Sequence, residues 1–376
     1  RAWSHCPKMI ALDDAHGTSS YKGVVMVATA IDGAGQIFPV AFGVAASETV
    51  VSWRFFVSHL ADALNIRDVP LTVISDRCRG IDTAVAEFIR RASHSLCAFH
   101  IGQNVAQRYG RHAASHVWRI ANASTPEEYE SALSSVAQIS LAAAHYLEDI
   151  PKEQWVRAFF AMPRFGHVTS NIAESVNAWL LEQRNKPPLR FFVEAIQKVN
   201  TLFFERRSKY EKMNPNDIEP ATFASIVRNT EDVIRLECVN VFGMKFQVQS
   251  RVAGGALRDV DLECRECSCK QFKDLWYPCV HACSAALHSG VRIPSLCIPE
   301  RWIQSLQMVY SEGIVLVDME NIRPQALASP LVQRLPGRPR IKRIRRAEED
   351  RPRRVTFCSL CGQRGHNIRS CPENFA

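Results

Sequence analysis

The sequence predicts a mixed α/β sheet, interrupted by an all-helical stretch and followed by two small metal-binding modules. Three observations carry this. The first hundred residues alternate short β-branched runs with helical periods, the next sixty show the helical period alone, and the C-terminal third gathers Cys and His at metal-ligand spacings. A length of 376 residues leaves room for about two or three domains.

The elements follow in order. Met9–Asp13 is a short apolar run ending in acid. Val24–Ile31 and Ile37–Val44 are buried strands, with Gly33–Gly35 supplying the hairpin turn between them. Val50–Leu64 changes period, and Trp53, Phe56, Val57, Leu60 and Leu64 make one helical face. Leu71–Ile74 is a strand that runs into Ser75-Asp76, Ile81–Ile89 a helix and Ser95–Phe99 a further short strand. From Ile101 to Ala161 the pattern is helical, with Tyr129, Leu133 and Val136 as one stripe. A helix runs from Asn171 to Gln183. A long amphipathic helix follows Pro188 and turns Phe192, Val193, Ile196, Val199, Leu202 and Phe203 inward. Lys245–Val252 and Val260–Glu263 predict a hairpin, and His281–His288 a helix. Pro294–Pro330 is loosely patterned, and no internal repeat is visible.

Composition bounds the function. Hydrophobic residues at 47% and charged residues at 22% are those of a globular chain with a real core. No run approaches ~18 uninterrupted apolar residues, so a membrane partner is not expected. The net charge of +8 is concentrated: Arg334–Arg354 holds ten Lys/Arg and three Asp/Glu, +7 of the total. A basic, low-complexity stretch of this kind favours a polyanion. Six of the thirteen cysteines, with two histidines, fall into two tight clusters, which points to zinc in a reducing compartment rather than to disulfides. The chain opens on Arg, with no charged-then-apolar leader, and reads as a fragment whose upstream part is out of view.

Three carboxylates invite chemistry. Asp13 is expected at the end of the first strand and Asp76 directly after a later one, and strand ends in α/β sheets face one edge where a crevice forms. Glu174 lies on a helix, spaced by threes with Asn171 and Asn177 away from the apolar face of Ile172, Val176, Trp179 and Leu180. Two strand acids and one helix acid can hold a pair of divalent cations for phosphodiester chemistry, and Mg²⁺ suits oxygen ligands. The bland alternatives are turn residues for the aspartates and, for Asn171-Ile-Ala-Glu174, a capping box.

The two Cys/His clusters are sharper. Cys267, Cys269, Cys279 and His281 form a Cys-x-Cys, nine-residue gap, Cys-x-His pattern, the three thiolates and one imidazole that tetrahedral Zn²⁺ takes. Cys264 and Cys283 are nearby spares. Cys358, Cys361, His366 and Cys371 form an uninterrupted knuckle spacing, with Gly362 and Gly365 allowing the tight turns; so small a knot depends on its metal.

Several segments together resemble one known family. They are Leu12–Gly23 with the following VVMVATAIDGAGQIFPVAFGVAASE, Trp53–Leu60, Ser75-Asp76-Arg77, Cys97-Ala-Phe-His100 and Asn171-Ile-Ala-Glu-Ser-Val-Asn177. Across roughly residues 8–205 and in this order they are similar to the core of Mutator-like element transposases. The resemblance implies a ribonuclease-H-like fold, with a helical insertion between the second and third acids. It implies a DDE-type site of Asp13, Asp76 and Glu174 binding two Mg²⁺ ions, with Mn²⁺ a possible substitute. Cleavage of the element's ends would be followed by transfer of the freed 3′-hydroxyl into target DNA. Asp13 rather than its neighbour Asp14 is taken as first acid, because it keeps the spacing to His16 and Tyr21-Lys22-Gly23. Ala15 and Gly17-Thr18 depart from the family, which has Thr and a larger pair there. Cys97 and His100 match its Cys-x-x-His element and, with Asn171, are accessory candidates. They read as a partial metal site, as a phosphate or structural contact, or as a buried Cys with a His capping the next helix.

The Cys267–His281 pattern resembles a SWIM zinc finger, with Phe272, Pro278 and Ala282 in its accessory positions. The last cluster resembles CCHC knuckles that grip single-stranded nucleic acid. Pro336-Gly-Arg-Pro-Arg340 resembles an AT-hook, in which Arg338 and Arg340 enter the minor groove beside Lys342 and Arg343; a basic linker or nuclear import signal is the equal alternative. The chain divides into 1–100 and 166–215 as catalytic core, 101–165 as helical insertion, 240–292 as SWIM module, 334–356 as basic linker and 357–373 as knuckle. DNA, a homo-oligomer on DNA and the nucleus are the expected partner, assembly and compartment. The rival readings are a domesticated, non-catalytic DNA-binding regulator and an RNA-binding knuckle protein on an inert scaffold.

Overall fold

The computed structural model describes residues 1–17, 23–251 and 255–313. The basic segment and the Cys358–Cys371 cluster lie outside the described residues. The fold is a mixed α/β sheet with many helices, followed by a second, smaller sheet.

The first sheet contains β1 (Met9–His16), β2 (Val24–Ile31), β3 (Ile37–Ala45), β4 (Leu71–Ser75) and β5 (Ala92–Leu96), in spatial order β3-β2-β1-β4-β5. β1, β2 and β3 pair antiparallel, whereas β1 with β4 and β4 with β5 pair parallel. Every residue of β2 is buried because helices cover both faces. Strand alternation sorts its side chains. Val24, Met26, Ala28 and Ala30 join a core with Trp53, Phe56 and Val57 of α1 (Val50–Leu64) and with α2 (Arg79–Phe88). Val25 and Val27 join Val176 of α8 (Asn171–Trp179) and Phe191 and Ala195 of α9 (Pro188–Tyr210) on the other side. In β1, Ile10 and Leu12 face the first core, while Met9 and Ala11 face the α8 side.

After β5 come α3 (Ala98–Tyr109), α4 (Arg111–Ser115), α5 (Val117–Ala121), α6 (Pro126–Ile139) and α7 (Leu141–Glu148), packed around their own core of Ile101, Ile120, Tyr129, Val136 and Trp155; the helical stretch expected to reach Ala161 ends at Glu148, and only a 3-10 turn at Lys152–Gln154 follows before α8. Thr125 caps α6 through the Glu128 amide, and Pro126 at its first turn needs no donor. After α9, α10 (Pro220–Glu231) leads into the second sheet, β6 (Leu236–Phe242), β7 (Lys245–Ser250), β8 (Arg258–Asp261) and β9 (Glu266–Cys267), with α11 (Gln271–Leu275) and α12 (Val280–Ser289) beside it. The last described helix, α13 (Ile303–Tyr310), returns to the first core through Ile303, Leu306, Val309 and Tyr310. Tyr310 Oη donates to the fully buried Asp32 Oδ2 at 2.7 Å and accepts from Arg206 at 2.7 Å, tying the β2–β3 turn to α9 and α13.

Several expectations need correction. The strand expected at Ser95–Phe99 lies earlier: β5 covers Ala92–Leu96, and Cys97 is the N-cap of α3. The helix from Asn171 stops at Trp179, where Leu180 leaves helical geometry. Asn171 is its first residue and the cap is Ser170, without a side-chain capping bond, so no capping box forms. In α9 the buried line is Phe191, Ala195, Val199, Phe203, Arg206 and Tyr210; Phe192, Val193, Ile196 and Leu202 are only half-buried. Packing first on β2 and later on α13 rotates the buried stripe away from the most hydrophobic one. The loosely patterned Pro294–Pro330 segment hides α13, eight residues recognisable only by what they pack against.

Candidate active site and zinc cluster

β1 and β4 are parallel neighbours, with Met9 opposite Thr72 and Ala11 opposite Ile74. The same offset sets Asp13 level with Asp76. Asp76 directly follows β4, but Asp13 does not end its strand as expected: β1 runs on to His16, paired with β2, and Asp13 stands just past the last β1–β4 pair, Ala11 with Ile74, where the parallel pairing opens into a crevice. Alternation decides which way they face. Asp13 follows Met9 and Ala11 onto the α8 side, and its Oδ2 accepts a 2.7 Å hydrogen bond from Asn177 Nδ2. Asp14 takes the opposite face and senses Glu48.

Glu174 and Asn177, one turn apart on α8, both look toward Asp13. Burial pushes Asp13 up to about 6; the Asn177 bond opposes this, Glu174 repels, His100 attracts, and Asp76 repels further. Burial likewise raises Asp76, whose Oδ1 accepts from the Cys78 amide at 3.1 Å. Burial and then Glu48, Asp13 and Asp76 push Asp14 up to about 7. Buried like charges disfavour ionisation in this way unless a cation joins them.

The Cys-x-x-His element lies at the same place. His100 stands on the first turn of α3, and its Nε2 is 3.9 Å from Glu174 Oε1. Burial opposes a charged ring, but Cys97, Asp76 and Glu174 outweigh it and push His100 up to about 9. Cys97 is fully buried and its Sγ accepts from the Ser170 amide at 3.3 Å. Burial works against its thiolate, yet His100 and Ser170 bring the thiol below its ordinary value. Cys97 thus joins α3 to the start of α8, and His100 is part of the acid cluster rather than a cap. Asn171 is exposed on α8.

The chemistry of the donor set fits divalent cations. Asp13, Asp76 and Glu174 supply oxygen ligands. Among the described residues no Lys or Arg lies within ion-pair distance of Asp13, Asp14 or Asp76, and the Oδ1 of buried Asn177 has no hydrogen-bond partner. The acids are more open than a single-ion cage. Among the described residues, only Cys267, Cys269, Cys279 and His281 bring three or more ligand atoms within 4.8 Å of one another.

That second cluster is compact. Cys269 and Cys279 Sγ are 3.6 Å apart, and His281 Nδ1 lies 3.8 Å from Cys267 and 3.9 Å from Cys279. Zn–S bonds of about 2.3 Å at tetrahedral angles require edges of about 3.8 Å, so the spacing suits zinc. β9 and the loop after it supply Cys267 and Cys269, while the start of α12 supplies Cys279 and His281. Cys264 is exposed, and Cys283, though buried, turns to the Pro278 carbonyl; neither belongs to the set.

Sequence reasoning passed over Asn177 as a site residue and left Glu48 and Arg184 out. Arg184 is half-buried and close enough to feel Asp13. The signal for Asn177 was its three-residue spacing from Glu174; for Glu48 and Arg184 there was none. Arg338, Arg340, Lys342 and Arg343 lie outside the described residues, as do Cys358, Cys361, His366 and Cys371.

The fold is a mixed α/β sheet that gathers half-buried acids where the parallel pairing of β1 and β4 ends, with a Cys₃His cluster downstream that could hold zinc. Residues 9–104 match the family model of the MULE transposase domain, so over that span the chain is similar to Mutator-like transposases. The match includes Asp13, Asp76, Cys97 and His100 and ends before Glu174. No curated protein matches the chain.

Proposed function

We propose that this chain is a DDE-type DNA transposase of the Mutator-like class, acting on element ends and target DNA in the nucleus. In this reading residues 1–100 and 166–215 form a ribonuclease-H-like core interrupted by a helical insertion. The strand order β3-β2-β1-β4-β5 supports it, as does the matching family model. The observation that carries the chemistry is the facing of Asp13 and Glu174 across the β1–α8 junction, with Asp76 directly after β4 and level with Asp13.

Asp13, Asp76 and Glu174 would hold two divalent cations, Mg²⁺ or Mn²⁺. When bound, these supply Lewis-acid activation and neutralise charge in an in-line phosphodiester displacement. Asn177 orients the Asp13 carboxylate and favours its ionised form. His100 places a positive ring beside Glu174, offsetting repulsion among the acids. The Cys₃His cluster binds structural zinc as a SWIM-type module, and Cys358–Cys371 binds a second zinc as a knuckle for single-stranded nucleic acid. The basic residues Arg338, Arg340, Lys342 and Arg343 add phosphate and minor-groove contacts, and the active form is a homo-oligomer on DNA.

The deciding experiment is a nicking and strand-transfer assay on supercoiled plasmid and on element-end DNA with Mg²⁺ or Mn²⁺. Asp13→Ala, Asp76→Ala and Glu174→Ala should each abolish product while leaving DNA binding intact. Equal product from wild type and Asp76→Ala removes the enzyme reading and leaves a domesticated DNA-binding regulator.

A further inference from the structure

The loop bracketed by zinc-type ligands does not point to solvent. Between Cys269 and Cys279 the chain turns sharply twice, with Lys270 at φ 62° and Trp276 at φ 57°, and delivers Asp274 into the protein, where it is only 6% exposed. Asp274 Oδ1 accepts a 2.7 Å hydrogen bond from the Arg164 amide, and Oδ2 pairs with Arg157 Nε at 3.2 Å. Beside it, the Trp276 ring packs against Phe165 with centroids 5.3 Å apart. A Cβ added at Gly166 would stand 3.1 Å from the Leu275 side chain.

The segment gripped in this way leads directly into the helix of the third acid. Pro163 accepts from Thr72 Oγ1 of β4 at 2.6 Å, Val168 accepts from the Ala98 amide that opens α3 at 2.9 Å, and Ser170, the N-cap of α8, reaches Cys97. Four and seven residues beyond that cap stand Glu174 and Asn177. Residues 155–170 hold no α-helix or strand, so their position depends on such external contacts.

We infer that the Cys₃His cluster is a clamp on the acid site: by closing the loop around Asp274 it sets the 163–170 segment, and through that segment the place of Glu174 and Asn177 against Asp13. Asp274 is then a positioning residue, and zinc at one site governs the affinity of the other site for divalent cations. This rests on the zinc and acid-site readings above. The physical reason is that the nine residues between Cys269 and Cys279, one short helix and its two turns, hold their shape when both ends are tied to one ion. An accepting carboxylate buried against a backbone amide transmits that shape.

The test uses the full chain and three readouts: zinc content, hydrogen exchange over residues 163–180, and Mn²⁺ binding followed by electron paramagnetic resonance. Asp274→Ala should keep the wild-type zinc content, yet speed exchange in that segment and weaken Mn²⁺ binding by about tenfold each, the loss of one charge-assisted hydrogen bond. Asp274→Asn keeps an acceptor for the Arg164 amide and should restore most of both. Lys273→Ala, whose exposed side chain pairs with Glu266, should change neither. Cys279→Ser should remove one zinc per chain and reproduce the fast exchange. Wild-type exchange and Mn²⁺ affinity in Asp274→Ala, or unchanged exchange after the zinc is lost, overturn the inference. A wild-type chain whose Mn²⁺ binding does not respond to Asp13→Ala would instead sink the acid-site reading, while the exchange data still decide the clamp.

Discussion

Replacing Asn177 by Ala tests how the acid site is tuned. Asn177 Nδ2 is the one side-chain donor on Asp13 among the described residues, at 2.7 Å, and Asp13 is already pushed up to about 6 by burial. A hydrogen bond to a charged acceptor contributes about 1.5–3 kcal/mol, and about 1.4 kcal/mol corresponds to one pH unit in a proton equilibrium. Losing the bond therefore moves Asp13 about one to two pH units higher, because the donor favoured the ionised form. At neutral pH the proton then competes with the cation, and Mn²⁺ binding weakens by about two- to tenfold. The assay is a Mn²⁺ titration from pH 5.5 to 9 for wild type and Asn177→Ala. The variant's curve should be displaced to higher pH and rejoin the wild type at the alkaline end. A uniform loss at all pH values would mean that Asn177 merely supports α8, and the proposed tuning would be refuted.

Three further outcomes follow from the geometry. Asp14, pushed up to about 7 chiefly by burial and then by Glu48, keeps its proton when folded at pH values where the unfolded chain, titrating at about 4, has lost it; this costs stability as pH rises from about 4 to about 7. Asp14→Asn should therefore be more stable than wild type in metal-free urea unfolding by a margin that widens across that window, and a constant margin would contradict the assignment. Tyr310→Phe removes the donor to buried Asp32 and the acceptor of Arg206, so unfolding free energy should fall by about 2 kcal/mol; a fall under about 0.5 kcal/mol means that the clasp does not stabilise the fold. Gly33→Ala places a Cβ 1.6 Å from the Glu300 carbonyl oxygen, so backbone must move and about 3 kcal/mol is lost, measured by thermal or urea melts; a wild-type melt would show that this turn is slack.

Much of this molecule was legible before any coordinates. β-branched runs announced β2 and β4 because strands buried on both faces need apolar side chains at every position; β3, expected to be buried in the same way, is a strand that is mostly half-buried at the sheet edge. The spacing of Cys267, Cys269, Cys279 and His281 announced their cluster because thiolate and imidazole ligands on a short loop and a helix start must alternate closely to surround one ion. The helices between β5 and α8 were likewise visible in their period. Local chemistry and periodicity sufficed wherever the determinant lay within about a dozen residues.

What only the tertiary structure decided were meetings across long stretches of chain. The parallel register of β1 with β4 set Asp13 level with Asp76, and strand alternation then turned Asp13, not Asp14, toward α8. Asn177 became the partner of a carboxylate 164 residues away, and Asp274 the anchor of an amide 110 residues away. The inward faces of α9 and α13 depended on neighbours rather than on their own hydrophobic stripes. A residue pattern encodes the periodicity of its own element; it does not encode which distant surface will exclude water from that element, and burial against that surface is what set the acids' charge, the helix faces and the clamp.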